Sequence, residues 1–216
     1  MAQIFSFEGV IPVVDPSAYV HPAATLIGDV LIGPACYVGP GAVLRGDFGR
    51  IQLLAGANFQ DNCVAHSFPD AEVLVEEEGH IGHGTILHGC RVGKNAMVGM
   101  NCVIMDRVVI GENAIIGAMS FLKASMEVPA GHLALGSPAS VVRPLKPEEI
   151  AWKREGTLVY QRLALESRNS TKQVAEPLTQ PEANRKRVRA PKYDPLFIAR
   201  LKQDAGVSAG MHSHVE

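Results

Sequence analysis

The stretch RVGKNAMVGMNCVIMDRVVIGENAIIGAMSFLKASMEV, residues 91–128, decides the fold. Aliphatic residues return at every sixth position without a break: Val92, Val98, Ile104, Ile110, Ile116, Leu122 and Val128. Four positions after most of them comes a small or apolar residue: Ala96, Cys102, Val108, Ala114 and Ser120. Glycine often follows the aliphatic residue, as at Gly93, Gly99, Gly111 and Gly117. A period of six matches neither the 3.6 of a helix nor the spacing of hairpins. It fits a solenoid of short flat strands, each turning one aliphatic side chain inward, with a small residue where the corner is narrow and glycine in the tight corners. Three strands make a coil of roughly 18 residues, and coils stack at about 4.8 Å.

The same period runs through Val20, Leu26, Ile32, Val38 and Leu44, with Ala24, Val30, Cys36 and Ala42 at the small position. Counted from Ile32, Phe59, Ile86 and Val98, the cysteines Cys36, Cys63, Cys90 and Cys102 all take that position. No CxxC occurs, so these thiols are expected as small buried hydrophobes. The register breaks twice. The step from Leu44 to Leu53 is nine, around RGDFGRIQL, and SFPDAEVLVEEEG (67–79) is expected as a loop that interrupts the coils before Ile81. Insertions in a solenoid collect on one face, often the binding face. The acidic run Glu76, Glu77, Glu78 reads as a solvated tip, with proton shuttling as the second reading.

Residues 135–168 leave the period. Pro147 followed by Glu148 and Glu149 starts a helix. Gly156 is expected to divide it, with a second segment carrying Leu158, Tyr160 and Leu163 and covering the apolar end or flank of the solenoid. The expected organisation is a β-helix over 1–140, a helical segment over 141–170 and an extended tail over 171–216. In that tail NRKRVRAPK (184–192) is a local basic run read as solvated. DPLFIARLKQDAG (194–206) is expected as one short amphipathic helix, and MHSHVE (211–216) is a weak metal candidate.

A net charge of −2 and a pI near 6.4 give no nucleic-acid footprint. The start MAQIFSFEGV has no basic segment leading into a long apolar run, and no stretch approaches the roughly 20 apolar residues that span a bilayer. A soluble, cytoplasmic protein without membrane or nucleic-acid partners is expected.

The histidines raise the chemical question. GHIGHGTILHGC (79–90) holds His80, His83 and His88. His66 and His88, once the loop is subtracted, should stack one coil apart on one face. Two imidazoles about 5 Å apart can share a metal at nitrogen distances near 2.0–2.1 Å. His83 lies nearly one face away from His88 and should miss that metal within its own chain. A cyclic homotrimer removes the conflict, because His83 of one subunit can reach the pair of its neighbour. Three imidazoles leave a position open for water, the pattern of a catalytic zinc site; ferrous iron and cobalt are also compatible. His21 and His132 read as solvated corner residues, and His80 stays ambiguous.

Together with RGD at Arg45–Asp47, QDN at Gln60–Asn62 and the motifs GVIPVVDPSAYVHPAATLIGDVLIG, NFQDNCVAHSFP and AWKREGTLVYQ, these residues carry a specific resemblance. Over roughly residues 10–165 the chain resembles the gamma-class carbonic anhydrase-like hexapeptide-repeat family. Within it the chain looks closest to a branch associated with phenylacetate degradation, with a carnitine-operon branch next. QDNC and the Phe-Pro pair after His66 favour the former. The resemblance implies a left-handed parallel β-helix with a C-terminal helical segment. It implies a trimer with metal sites between subunits, ligated by His66 and His88 of one chain and His83 of the next. Arg45 and Asp61 would pair across the interface, with Asp47 and Gln60 beside the metal. Tyr160 would overhang the pocket, with plain helix packing as its alternative.

The expected activity is hydrolysis of CoA thioesters by a metal-bound hydroxide, with Gln60, Asp47 and Tyr160 as catalytic residues. Reversible CO2 hydration, and a non-catalytic role stabilising an enzyme of a CoA pathway, are the alternatives. A hexapeptide acyltransferase is less expected, since that class uses a lone catalytic histidine. The archetypal anhydrase of the family carries a glutamate where this chain has Phe48. That removes a proton-shuttling carboxylate and makes the mouth of the site less polar, suiting an acyl group.

Overall fold

An aliphatic residue every sixth position can be buried only if the chain bends after each short strand. The computed structural model, which describes residues 2–188, 193–199 and 201, does this around three faces. The first face carries Val64–His66, Ile86–His88, Val103–Ile104 and Phe121–Leu122. The second carries Val73–Val75, Arg91–Val92, Val109–Ile110 and Glu127–Val128. The third carries Tyr37–Val38, Asn58–Phe59, His80–Ile81, Met97–Val98 and Ile115–Ile116. Val43–Leu53 is one strand that bends from the first face into the second. Pairing within each face is parallel, and Val92 meets Ile110 while Ile110 meets Val128. The spacing is the coil length read from the repeat. The architecture is the expected left-handed parallel β-helix. An antiparallel pair, His132–Gly136 with Ala139–Pro144, ends the third face.

The repeat residues form a single interior column. Leu26, Leu44, Val92, Val98, Ile104, Ile110, Ile116 and Leu122 are fully buried, and so are the small residues between them. All four cysteines are free and buried. Burial pushes the thiols of Cys36, Cys63 and Cys90 up to about 12, as expected of core residues rather than nucleophiles.

Three readings need correction. The interruption after His66 is shorter than expected. Val73–Val75 is a regular strand with Val73 and Val75 buried, paired to Ile51–Leu53 on one side and Arg91–Val92 on the other. Only 67–72 leaves the coil, and Glu76–Gly79 is an ordinary corner closed by the Gly79 N–H donating to Glu76 O at 3.0 Å. The alternation of Val-Leu-Val outweighs the acidic run that follows it. Ile86 is exposed, and Leu87 is the inward residue; the step from Leu87 to Val92 is one short, yet Cys90 still points in. Finally, the glycines that follow the aliphatic residues do not serve the left-handed corner. That conformation falls on Asn95, Asn101 and Asn113, and even on Glu78 and Arg107. Gly93 is needed because the next coil is too close: an added Cβ would stand 2.7 Å from Ile110 O.

The C-terminal helix runs unbroken over Pro147–Ser170, with Gly156 buried inside it rather than dividing it. Glu149 caps its start, accepting from Lys146 N at 2.8 Å and from both arms of the Arg143 fork. Its docking stripe is Glu149, Lys153, Gly156, Thr157 and Ala164, while Leu158 and Leu165 face solvent. The contact with the solenoid is therefore largely polar, not the apolar cover expected. Lys153 Nζ donates to Glu78 O at 2.6 Å and Asn95 Oδ1 at 2.8 Å. The chain divides into two units, Met1–Asn169 and Ser170–Glu216, and strand Ala139–Pro144 runs through the expected boundary at 140. In the second unit residues 171–188 are exposed, and residues 196–199 with 201 are helical. Asp194 and Pro195 of the expected DPLFIARLKQDAG helix precede it without helical structure, and residues 200 and 202–206, part of the basic run and all of MHSHVE lie outside the described residues.

Candidate functional site

The two insertions meet at one corner between the first and second faces. A Cβ at Gly49 would overlap the carbonyl oxygen of Ala71, and Ser67 Oγ donates to that same oxygen at 3.2 Å. The strand ends before this corner carry His66 and His88.

His88 is the cross-strand partner of His66, and their ring centroids are 5.4 Å apart. Each ring is held by its own carboxylate. Asp47 Oδ1 lies 3.0 Å from His66 Nε2, and Asp106 Oδ1 lies 2.8 Å from His88 Nδ1. One nitrogen of each ring is thereby committed and one is left, the arrangement that orients metal-ligating imidazoles. Arg45 Nη1 donates to Asp47 Oδ2 at 2.5 Å. Partial burial works against the Asp47 charge, but the hydrogen bonds from Arg45 and His66 outweigh it and hold the carboxyl below its ordinary range. Gly89 has φ +55°, and a Cβ there would stand 2.8 Å from Asp106 Oδ1, so glycine lets the carboxylate reach the ring. Phe48 and Phe68, both exposed, pack their rings 5.3 Å from His66 and 5.0 Å from His88. The mouth of the pair is apolar.

Asp106 was not singled out by the motifs. Its signal is arithmetic: it follows His88 by one coil length, so the same corner of the next coil must bring it alongside.

A second cluster sits where the third face turns toward the first. Asp61 Oδ2 is 3.2 Å from His83 Nδ1, and the Tyr160 hydroxyl is 3.5 Å from His83 Nε2. His83 keeps 44% of its side chain exposed. Gln60 belongs to this cluster and not to the His66–His88 corner of its own chain. It is buried and donates from Nε2 to Asn58 Oδ1 at 2.8 Å, with His80 Nε2 also at 2.8 Å. Burial, with the nearby Lys153 and His83 charges, pushes His80 down to about 3 and keeps its ring neutral. Tyr160 packs edge-on against His80 and Tyr37, and burial raises its hydroxyl to about 12. Arg45 and Asp61, expected to pair between subunits, each have a partner within the chain: Asp47 and His83. Glu76 pairs with Arg91 and accepts from Lys94 N at 2.8 Å, which leaves no support for it as a shuttle beside the histidine pair.

Within the single chain, and among the described residues, no three His, Cys, Asp or Glu side chains converge to hold a metal. The chain presents two separate clusters: an imidazole pair, and an exposed imidazole backed by a buried amide network.

The family model Bacterial transferase hexapeptide (six repeats) matches residues 89–124. The chain belongs to this hexapeptide-repeat family. It is 53% identical to the carnitine operon protein CaiE of Proteus sp. (strain LE138), over 86% of this chain and 94% of that protein. CaiE of Salmonella agona (strain SL483) is also 53% identical, over 86% and 93%. These relatives carry the name of the second of the two branches expected. Among solved structures, a hexapeptide transferase family protein from Anaplasma phagocytophilum superposes with a TM-score of 0.73 at 37% identity, covering 75% of this chain and 96% of its own. A putative acetyltransferase from Bacillus cereus gives a TM-score of 0.77 at 31% identity, covering 78% and 98%. Among the described residues no helix is long and apolar enough to cross a membrane.

Proposed function

We propose that the protein is a metal-dependent hydrolase of CoA thioesters whose sites are completed between the subunits of a homotrimer. One observation carries this reading: the His66–His88 pair, each ring oriented by its own carboxylate, has no third donor among the described residues of its own chain. His83, exposed on a different corner, is the matching third imidazole. The donor set fits a divalent ion of the zinc type, with iron or cobalt also suited. When bound, such an ion supplies a Lewis acid that polarises a carbonyl and makes water nucleophilic near neutral pH. The chain's own residues do the rest. Asp47 and Asp106 hold the two rings, Phe48 and Phe68 offer apolar surface to an acyl group, and Gln60 and Tyr160 approach from the neighbouring subunit with His83.

A role in phenylacetate breakdown, where thioesters of aromatic acids arise, rests on the sequence motifs, and the similarity to CaiE favours a thioester of carnitine metabolism instead. Hydration of CO2 is the second reading. The same imidazoles serve it, but Phe48 and Phe68 stand where a proton-carrying mouth would be polar.

The test uses metal-loaded protein. Release of free CoA from aromatic and short aliphatic acyl-CoA, abolished in His88→Ala, is the expected result. Fast bicarbonate formation without thioester cleavage moves the assignment to CO2 hydration, and inactivity in both with metal bound moves it to a non-catalytic accessory role. Mixing His83→Ala with His66→Ala subunits should restore some sites; mixtures that never regain metal defeat the shared site.

A further inference from the structure

The third-face network contains a group that the proposed chemistry does not yet use. Asn58 is fully buried and Gln60 nearly so, and His80 lies against both. A neutral imidazole has one lone-pair nitrogen, so only one of the two amides facing His80 can donate to it. The distances choose: Gln60 Nε2 stands at 2.8 Å from His80 Nε2, while Asn58 Nδ2 stands at 3.3 Å from His80 Nδ1. Gln60 sends its other N–H to Asn58 Oδ1. Both amide hydrogens are then spent. Among the described residues no fully buried side-chain oxygen lacks a partner, and no bond to Gln60 Oε1 occurs, so this oxygen is not sealed in and is left free to accept.

We infer that His80 is a positioning residue: with Asn58 it locks the Gln60 amide so that only its carbonyl oxygen faces the site completed by the neighbouring subunit. Gln60 then acts there purely as a hydrogen-bond acceptor. An acceptor orients a water by taking one of its hydrogens, which turns a lone pair toward the substrate. A freely rotating amide would spend half its time presenting N–H groups to that lone pair and blocking it. Tyr160, edge-on to His80, closes the network from the helix side, so that helix docking and amide orientation are coupled. This inference rests on the proposed hydrolase for its catalytic consequence, but not for the orientation itself.

Two measurements separate the two. In the full-length trimer labelled with 15N-glutamine, both side-chain N–H signals of Gln60 should exchange slowly with solvent, and His80→Leu should return one of them to fast exchange. Two fast signals in the wild type, or no change in His80→Leu, overturn the orientation whatever the protein catalyses. In the thioester assay His80→Leu should lower kcat by about tenfold with KM and metal content unchanged. The Gln60→Leu/His80→Leu double variant should be no slower than Gln60→Leu alone. Additive losses, or loss of metal with kcat, overturn the positioning role. A wild type that cleaves no thioester removes the hydrolase reading and leaves the exchange measurement to decide.

Discussion

The two histidine clusters differ in how the chain makes them. The His66–His88 corner is built by breaking the repeat, where insertions at 47–50 and 67–72 lengthen the strand ends and leave imidazoles and two phenylalanines open. The Gln60–His80–His83 corner keeps the six-residue rhythm and takes its character from a helix laid over it. The first is rimmed by two exposed phenylalanines, and the second is a buried polar lattice with one exposed imidazole at its rim. A solenoid core is indifferent to both, because its interior column is the same on either side of them. Chemistry here sits on strand ends and corners, where outward residues cost the core nothing.

That separation can be broken or sharpened. The largest expected effect is His66→Ala, which should abolish metal binding and reduce hydrolysis at least about a hundredfold while leaving the melting temperature of the metal-free protein within a degree or two; parallel loss of thermal stability would show the corner to be part of the core. Asp106→Asn removes only the support of His88 and should weaken metal affinity about 10- to 100-fold, read by competition with a chelator. In contrast Leu87→Ala, one residue from His88 but inward, should cost about 2–5 kcal/mol in denaturant unfolding with both histidines intact.

On the helix side the effect depends on pH. Burial pushes Lys153 down to about 7 against an ordinary value of 10.5. The unfolded chain therefore binds a proton between pH 7 and 10.5 that the folded chain does not, and stability should rise with pH across that window. Lys153→Met should remove the slope; a slope that persists assigns it elsewhere. The smallest effect concerns the thiols: buried and poorly ionised, they should react with a thiol reagent only on unfolding, and labelling of the native protein would show that the coils open.

The unbroken run from Val92 to Val128 made the solenoid, its coil length and its inward residues legible, because burial on three faces admits no other pattern. The pairing of His66 with His88 was legible too, since coil length converts sequence distance into stacking. Ile86 was misread because a step of five looks like a step of six when an aliphatic residue lies on each side of the boundary. The unbroken helix was misread because Gly156 is a poor helix former alone, yet its burial in the docking stripe outweighs that propensity. His80 stayed ambiguous because its partners, Asn58 and Gln60, lie a coil away.

The sequence by itself determined the solenoid, through its strict period, and the candidate ligands, through coil length and the family resemblance of the histidine motifs. Only the tertiary structure decided which side chains steady them. Asp106 at His88, Asp47 at His66 and the Asn58–Gln60–His80 lattice are contacts between coils, and their hydrogen-bond geometry depends on distances of tenths of an ångström that no repeat length encodes.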